Sequence, residues 1–568
     1  MLTILDKIIV AKSSLPYNNR MSHLNNNHPK KIFLLMTVLA GIFLLYPFTD
    51  FQSFLSQGDH GRDLYAFEQT LHGAKVYRDY WWVYGPLMPI YYSFFDRFLG
   101  TTIHSILIGE MILHLFSGIL IYLTLGMFFS VGAAFASAVW FWTFNADFFF
   151  TYNHAGGITM LTLTTYSLFL YLKIPKIRYL ILGLISIVLL SLIKLNFGVS
   201  ALVAFTISVT LIDFLNKTPF SPQKRYFYFL CCLVPFLILL ICAMAVQGLS
   251  TYEIRQCLPY LKGDQPYEAS VWNSARSLLG FTFNNMKATW PNLIFAFIFI
   301  VSIWETFYLT IRNKDGKTLK NQRIVIIAVL LLFLLANLHE FLMSGVFYRS
   351  YWMKPFQVMT IFAFIAIATE PLKRVIRTFL YAVILFIAFL HFQSQMHLLG
   401  QLKIPHQYLS HPKAKIFVGN SLPWIDTVNR TTEYLSTHLR TDETFFALPY
   451  DCLYYYLTGK TSPTRQLIFF EHIKIPAEQE KKVIQELKDK RVDFVLLSSR
   501  FASDEHGLGI LGKTYCPILG KYLGENFRVV ATFGDWSNPP GWAWNHGTKI
   551  LKRTNTATND AQAAHPDH

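Results

Sequence analysis

The chain has 568 residues, of which 53% are hydrophobic and only 15% are charged, whereas a water-soluble globular protein carries about 25% charged residues. The formal net charge of +16 does not indicate nucleic-acid binding, because most basic residues stand in short loops between apolar runs, a pattern typical of membrane topology. These values exclude a wholly soluble protein and predict a polytopic α-helical membrane protein.

Apolar runs of about 20 residues, long enough to cross a bilayer, recur after a polar cytoplasmic segment at 1–30. They predict about eleven transmembrane helices, at 31–49, 102–127, 130–149, 156–172, 178–194, 197–215, 226–247, 292–311, 324–345, 356–370 and 378–393. Together, residues 31–393 form the predicted transmembrane module. The basic segments that identify the cytoplasmic side by the positive-inside rule are the N-terminus, 173–178, 217–225, 312–323 and 373–377. The outer loop 50–100 and the C-terminal region then face outward.

From about residue 394 the pattern changes to alternating amphipathic helices and short apolar strands. This alternation predicts a soluble extracytoplasmic α/β domain at 394–553, followed by a disordered tail at 554–568. The predicted helices are Thr432–Leu439 and Glu478–Lys490, and the predicted strands are Thr444–Leu448, Val492–Leu497, Phe527–Phe533 and Thr548–Lys552. An oxidising compartment would allow Cys452 and Cys516 to form a disulfide.

The first outer loop contains QGDHGRDLYAFEQTLHGAKVYRDYWWVYGPLMP at 57–89. Its first half predicts a short amphipathic helix, with apolar residues at spacings of three and four and Gly73 near its C-cap. Asp59 is the first candidate for a general base, with Asp63 and Asp79 as rivals, although an aspartate in a loop is also commonly just solvated. Arg62 lies one turn after Asp59, where it either pairs with this carboxylate or binds a phosphate.

Other candidate residues stand near the predicted outer ends of the helices. Asp147 and His154 are candidates for binding a divalent cation, Mg or Mn, although a histidine among aromatics more often serves packing. His339 and Glu340 are ionisable residues within an apolar helix, a position that often marks a functional site. Arg349 and Lys354 are candidate phosphate-binding cations, with snorkelling to anchor the helix ends as the alternative. Tyr84 and Asp79 are candidate substrate-contact or support residues, and the aromatic segment around Tyr84 is also typical of the membrane interface.

The layout resembles the GT-C superfamily of integral-membrane glycosyltransferases, and is most similar to bacterial relatives of protein O-mannosyltransferases and aminoarabinose transferases. In that family the first outer loop carries Asp-Glu-x-Arg with a catalytic Asp, and here Asp59-His60-Gly61-Arg62 matches it except at His60. The lysine that precedes a proline pair in the aminoarabinose branch is replaced by Tyr84-Gly85-Pro86, so donor phosphate contacts are expected from Arg78, Arg349 or Lys354.

The resemblance implies a transferase in the bacterial cytoplasmic (inner) membrane, with its N-terminus in the cytoplasm and its C-terminal domain periplasmic or extracellular. Asp59 would activate an acceptor hydroxyl for inverting displacement at the anomeric carbon of a polyprenyl-phosphate sugar. The acceptor is a glycan, a lipid or a protein, and membrane lipid surrounds the helices. Two other readings stay open: a transporter or flippase of lipid-linked sugars, and an inert membrane anchor with an outer binding domain.

Overall fold

The computed structural model describes residues 27–52, 55–143, 152–216, 319–340, 351–402, 408–418, 422–498, 509–536 and 547–554. Several sequence predictions lie outside these ranges: the spans at 226–247 and 292–311, the loop between them, Asp147, Arg349 and the tail from 555 onward.

Apolar helices form most of the N-terminal two thirds of the described chain. In order they are α1 (Asn27–Leu45), α2 (Asp59–Leu71), α3 (Leu87–Leu99), α4 (Ile103–Gly126), α5 (Val131–Thr143), α6 (Asn153–Lys173), α7 (Ile177–Ile193), α8 (Leu195–Asn216), α9 (Leu319–Ala336), α10 (Lys354–Ala368) and α11 (Arg374–Leu402). Within the described residues, six of these helices are long and apolar enough to cross a membrane, and α5, α7 and α9 are shorter apolar helices. The protein is therefore a polytopic membrane protein, and each predicted span in this part coincides with a helix.

Small residues allow the first membrane helices to pack closely. A Cβ on Gly41 of α1 or on Gly118 of α4 would meet the Trp142 ring of α5 at 2.7 and 2.2 Å, respectively. The indole Nε1 of Trp142 donates a hydrogen bond to the His114 carbonyl of α4 at 2.9 Å. Because lipid tails are as apolar as these side chains, such close packing and internal hydrogen bonds stabilise the bundle.

The outer loop and the C-terminal region are joined by a small sheet with the order β1-β3-β2. Its strands are β1 (Phe51–Gln52), β2 (Tyr408–Leu409) and β3 (Ile416–Val418). Strand β1 pairs in parallel with β3, and β2 pairs antiparallel with β3. The chain directly before α2 is therefore held by backbone hydrogen bonds to a segment more than 350 residues later.

The C-terminal region contains a four-stranded mixed sheet with the order β4-β5-β7-β6. Its strands are β4 (Phe445–Leu448), β5 (Phe494–Ser498), β6 (Phe527–Phe533) and β7 (Thr548–Arg553), and its helices are α12 (Leu422–His438), α13 (Leu453–Thr458), α14 (Ala477–Asp489) and α15 (Pro517–Asn526). Only the β4–β5 pairing is parallel. The helices and strands predicted in this region are confirmed, with α12 starting ten residues earlier than predicted. The disulfide is not formed: Cys452 and Cys516 are buried free thiols.

Candidate functional site

The candidate site begins at the N-terminus of α2, where Asp59 is the first helical residue. Ser56 prepares this helix start, because its Oγ accepts hydrogen bonds from the backbone N–H groups of Gly58 at 3.1 Å and Asp59 at 3.2 Å. The backbone N–H of Ser56 donates in turn to Nδ1 of His60 at 3.0 Å. His60 thus takes part in the turn that precedes α2. The helix N-terminus favours a negative charge at position 59.

The Asp59 carboxylate is paired with a buried arginine, Arg62. Arg62 Nη1 lies 3.3 Å from Asp59 Oδ1, while Nε and Nη2 lie 2.9 and 2.7 Å from Asp63 Oδ1. The side chain of Asp59 is 38% exposed, whereas that of Arg62 is 3% exposed and that of Asp63 is fully buried. Burial raises the pKa of Asp63 to about 6, against the lowering effect of Arg62. The predicted sharing of one helix face by Asp59 and Arg62 is confirmed.

The C-terminal region supplies the second contact to Asp59. The Tyr450 hydroxyl, just after β4, donates a hydrogen bond to Asp59 Oδ1 at 2.7 Å. Burial raises the pKa of Tyr450 well above its ordinary value, so this hydroxyl keeps its proton and acts as a donor. Both contacts to the carboxylate fall on Oδ1. Within the described chain Oδ2 has no hydrogen-bond partner.

The Tyr84-Gly85-Pro86 segment connects this carboxylate to the membrane helices. Gly85 N donates to the Ile193 carbonyl at 2.9 Å, and a Cβ at position 85 would lie only 1.9 Å from the Leu192 carbonyl oxygen. Only glycine permits this approach to the end of α7. As a result the Tyr84 ring centroid lies 5.0 Å from Arg62 Cζ and 5.4 Å from Lys194 Nζ. Tyr84, predicted as a support residue, is thus in contact with two cations.

Lys194 is the centre of a second polar cluster, at the junction between α7 and α8. Its Nζ forms a salt bridge with Glu340, and both side chains are at least 90% buried. Asn196 Nδ2 donates to Glu340 Oε1 at 3.1 Å and lies 2.9 Å from His339 Nε2. His339 Nδ1 lies 2.9 Å from the Ala336 carbonyl, which can only accept, so Nδ1 carries the proton. The structure therefore brings His339 and Glu340 to the same place as Tyr84.

Aromatic rings enclose Lys194 on its other sides. Its Nζ lies 5.2 Å from the Phe197 ring centroid and 5.4 Å from that of Trp352, and these two rings are stacked at 3.7 Å. His154, at the start of α6, packs against Trp352 at 5.0 Å and Tyr351 at 4.8 Å. A cation beside aromatic faces is stabilised where water is scarce.

The remaining predicted site residues are placed differently. Arg78 and Asp79 form an exposed ion pair with each other, with Arg78 Nε 2.8 Å from Asp79 Oδ1, and the hydrogen bond from Arg78 lowers the pKa of Asp79. Lys354 is half-buried at the first position of α10, two residues after Trp352. Arg349 lies outside the described residues.

The predicted metal site at Asp147 and His154 has no counterpart in the described part of the chain. Among those residues no three His, Cys, Asp or Glu side chains come together as metal ligands. His154 is engaged by aromatic rings, and Asp147 lies outside the described ranges. The divalent ion at this pair therefore stays a prediction.

Sequence reasoning missed Lys194 and Tyr450. Lys194 had a usable signal, because a single lysine within LLSLIKLNFGV is an ionisable group inside an apolar run. Tyr450 had none, since it lies 391 residues from Asp59 and meets it only through the folding of the C-terminal region.

Comparison with solved structures shows that the fold resembles that of ArnT from Cupriavidus metallidurans. ArnT from Cupriavidus metallidurans in the apo state aligns with a TM-score of 0.52 and 10% identity, covering 96% of this chain and 100% of that chain. ArnT bound to undecaprenyl phosphate aligns at 0.49 and 10% identity (95% and 100% covered), and the Archaeoglobus fulgidus oligosaccharyltransferase with Zn and sulfate at 0.46 and 13% (90% and 73% covered). No protein-family model and no curated protein matches the sequence.

Proposed function

We propose that this protein is a GT-C-type glycosyltransferase that transfers a sugar from a polyprenyl-phosphate donor to an acceptor hydroxyl at the outer face of the cytoplasmic membrane. The observation that carries the proposal is the state of the Asp59 carboxylate. One oxygen is held by Arg62 and Tyr450, while the other has no partner within the described chain and the side chain is 38% exposed. This geometry supports a positioned base with one oxygen facing the substrate.

In the proposed reaction Asp59 Oδ2 accepts the proton of the acceptor hydroxyl while the acceptor oxygen bonds to the anomeric carbon. The bond between that carbon and the donor phosphate oxygen breaks on the opposite face, so the anomeric centre inverts. The electron pair of this bond leaves with the polyprenyl phosphate. Arg62 and Tyr450 keep the carboxylate oriented. A general base of this kind contributes about 10²–10⁴-fold to the rate.

The departing phosphate needs positive charge. We assign this role first to Lys194, which is joined to the Asp59 cluster through the Tyr84 ring. Lys354, Arg349 and the N–H groups of Arg62 beyond its carboxylate contacts are further candidates. Arg78 is left out because its guanidinium is paired with Asp79 on the surface. In a site with little water, such preorganised charges stabilise a transition state by about 2.7–4 kcal/mol each.

The surroundings of the site suit a lipid-linked donor. Lys194 and Glu340 stand at the ends of apolar helices, and the faces of α1, α8 and α11 that contain Phe43, Val203 and Phe379 are exposed apolar surface. Such surface suits contact with lipid tails and with a prenyl chain. The acceptor, a glycan, lipid or protein, would approach Asp59 along the C-terminal region, which contacts this carboxylate through Tyr450.

The test is transfer by purified protein in liposomes that contain polyprenyl-phosphate sugars, with mass spectrometry of free polyprenyl phosphate and of glycosylated product. We expect Asp59→Asn to reduce turnover by about 10²–10⁴-fold while leaving expression and melting temperature unchanged. Asp79→Asn is the matched control in the same loop and should turn over normally. Near-normal turnover by Asp59→Asn would refute the assignment.

The same assay separates the alternative functions. A transporter or flippase would move the lipid-linked sugar across the bilayer without releasing polyprenyl phosphate, and an anchor with a binding domain would do neither. The divalent ion predicted at Asp147 and His154 enters no step above. Turnover that survives treatment with EDTA would exclude a role for the divalent ion, and a loss of turnover that Mg or Mn restores would support one.

A further inference from the structure

The outer loop and the C-terminal region meet in an interface that is polar as well as apolar. Lys413 Nζ lies 2.5 Å from Glu68 Oε1 of α2 and 2.9 Å from the Tyr456 carbonyl of α13. The backbone N–H of Ser462 donates to the Tyr65 hydroxyl at 2.9 Å, and that of Trp81 donates to the Arg465 carbonyl at 3.0 Å. These contacts fix the C-terminal region against the later part of α2 and the loop that follows it.

Near Asp59 the outer loop and the C-terminal region also meet through their backbones. The N–H of Leu453, at the start of α13, donates to the Gln57 carbonyl at 3.0 Å. Gly61, in the first turn of α2, makes this approach geometrically permissible, because a Cβ at position 61 would lie 2.2 Å from Leu453 N and 2.7 Å from its Cα. Backbone atoms cannot move aside as a flexible side chain can, so alanine at position 61 must push the two segments apart.

The segment 450–453, which packs closely against Gly61, is itself anchored to the mixed sheet. Asp451 Oδ2 accepts a hydrogen bond from Ser498 Oγ of β5 at 2.6 Å, and the Tyr450 ring packs edge-on against Phe470 at 5.6 Å. The Tyr450 side chain therefore reaches Asp59 from a supported position. Its 2.7 Å hydrogen bond to Oδ1 and the 3.3 Å contact of Arg62 fall on the same atom, so within the described chain Oδ2 has no hydrogen bond, and the side chain is 38% exposed.

We propose that Tyr450 is a positioning residue that the C-terminal region contributes to the Asp59 centre, and that Gly61 is the residue that allows it to reach that carboxylate. The inference rests on the proposed function of Asp59 and adds to it: the site is incomplete without the C-terminal region. It assigns the Tyr450 hydroxyl the task of fixing the carboxylate rotamer in which Oδ2 faces the acceptor.

The test compares Tyr450→Phe, Gly61→Ala and the double variant in the full-length protein, measuring kcat, the donor KM and the melting temperature. Tyr450→Phe removes a hydrogen bond to a charged group, so kcat should fall about 10- to 100-fold while the donor KM stays within about twofold. Gly61→Ala should lower kcat to a similar degree. The double variant should be no slower than the slower single variant, because both changes remove the same contact.

Tyr80→Phe is the matched control, since it also removes a buried tyrosine hydroxyl from this region, one that contacts Thr70 at 2.7 Å. Its kcat should equal that of the wild type. Wild-type kcat for Tyr450→Phe, or losses that multiply in the double variant, would overturn the inference. If Gly61→Ala does not fold, Tyr450→Phe and Tyr80→Phe decide alone. An inactive Asp59→Asn beside a fully active Tyr450→Phe would reject only this inference, whereas an active Asp59→Asn would reject the proposed function.

Discussion

At the scale of single residues, the site contains two cations, each paired with a carboxylate and each beside aromatic rings. Arg62 is paired with Asp63 and Asp59 and lies under Trp82 and Tyr84, and Lys194 is paired with Glu340. A buried charge is tolerated only with such compensation. The two centres differ in the exposure of their carboxylates. Asp59, which is paired with Arg62, is partly exposed, whereas Glu340, which is paired with Lys194, is buried.

Lys194 provides the prediction at this scale. Lys194→Met should reduce transfer by about 10²–10³-fold, because the departing phosphate loses a preorganised positive charge. The single change also leaves Glu340 buried without its partner, which costs about 3–5 kcal/mol of stability. The measurements are turnover in the liposome assay and the melting temperature of the purified protein.

The control for this change is Lys194→Met combined with Glu340→Gln, which removes both charges. The double variant should recover the melting temperature of the wild type but should stay as slow as Lys194→Met. Wild-type turnover in the stable double variant would show that the ammonium group takes no part in transfer.

The residue scale also shows what a sequence can reveal about the site. The Asp59–Arg62 contact was predictable because both lie on one short helix, where a spacing of three fixes their proximity. The contact of Lys194 with Glu340, 146 positions apart, depends on how α7, α8 and α9 pack, and no local pattern encodes it. Arg78 and Asp79 show that a position in the outer loop is not enough to identify a site residue. Both are charged and stand in that loop, but they pair with each other at the surface.

At the scale of elements, α2 follows its sequence pattern closely. The helix ends at Leu71 and Gly73 adopts a positive φ of 89°, as a glycine near a C-cap often does. Helix α3 was not predicted, because it is too short to cross a membrane. It exposes Ile90, Phe94 and Phe98 at spacings of four, while Asp96 and Tyr92 on other faces are buried. An amphipathic helix of this kind is typical of the membrane interface.

The Tyr84-Gly85-Pro86 turn gives the prediction at the element scale. Gly85→Ala would place a Cβ 1.9 Å from the Leu192 carbonyl oxygen, so the loop must separate from α7 and Tyr84 must leave Lys194. Overpacking of this kind costs about 1–3 kcal/mol. We therefore expect a lower melting temperature together with a loss of transfer.

Gly126→Ala, at the C-terminal end of α4, is the matched control for Gly85→Ala. The nearest atom to a Cβ there is Ala134 Cβ at 3.7 Å, an ordinary contact. This variant should match the wild type in both measurements. Equal behaviour of the two alanine variants would show that the close approach at Gly85 does not position the site.

At the scale of the whole molecule, the site combines distant parts of the chain: the outer loop, the α7–α8 junction, residues 339–340 with 351–352, and the C-terminal region. Hydrophobic run length predicted the membrane helices in the described part, since a bilayer imposes their length. It did not predict that β1 pairs with β3 or that Tyr450 reaches Asp59, because both depend on long-range packing. The two spans at 226–247 and 292–311, and hence the total of eleven, stay predictions.

Orientation in the membrane is the last prediction, and the proposed chemistry depends on it. The positive-inside rule places the 173–178 segment in the cytoplasm and the outer loop outside. Arg78 and Lys176 are both exposed, and they stand on these two segments. Arg78→Cys should therefore react with a membrane-impermeant maleimide in intact cells, whereas Lys176→Cys should react only after the cells are made permeable.

The wild-type chain supplies the background, to which the buried thiols of Cys452 and Cys516 should add little. The reverse labelling pattern would place Asp59 on the cytoplasmic side, where an acceptor in the cell envelope has no access to it. Labelling of neither variant in intact cells would require the same revision, because Arg78 lies in the loop that contains Asp59. Labelling of Arg78→Cys alone would place the proposed base Asp59, and Tyr450 with it, on the side where the proposed acceptor is found.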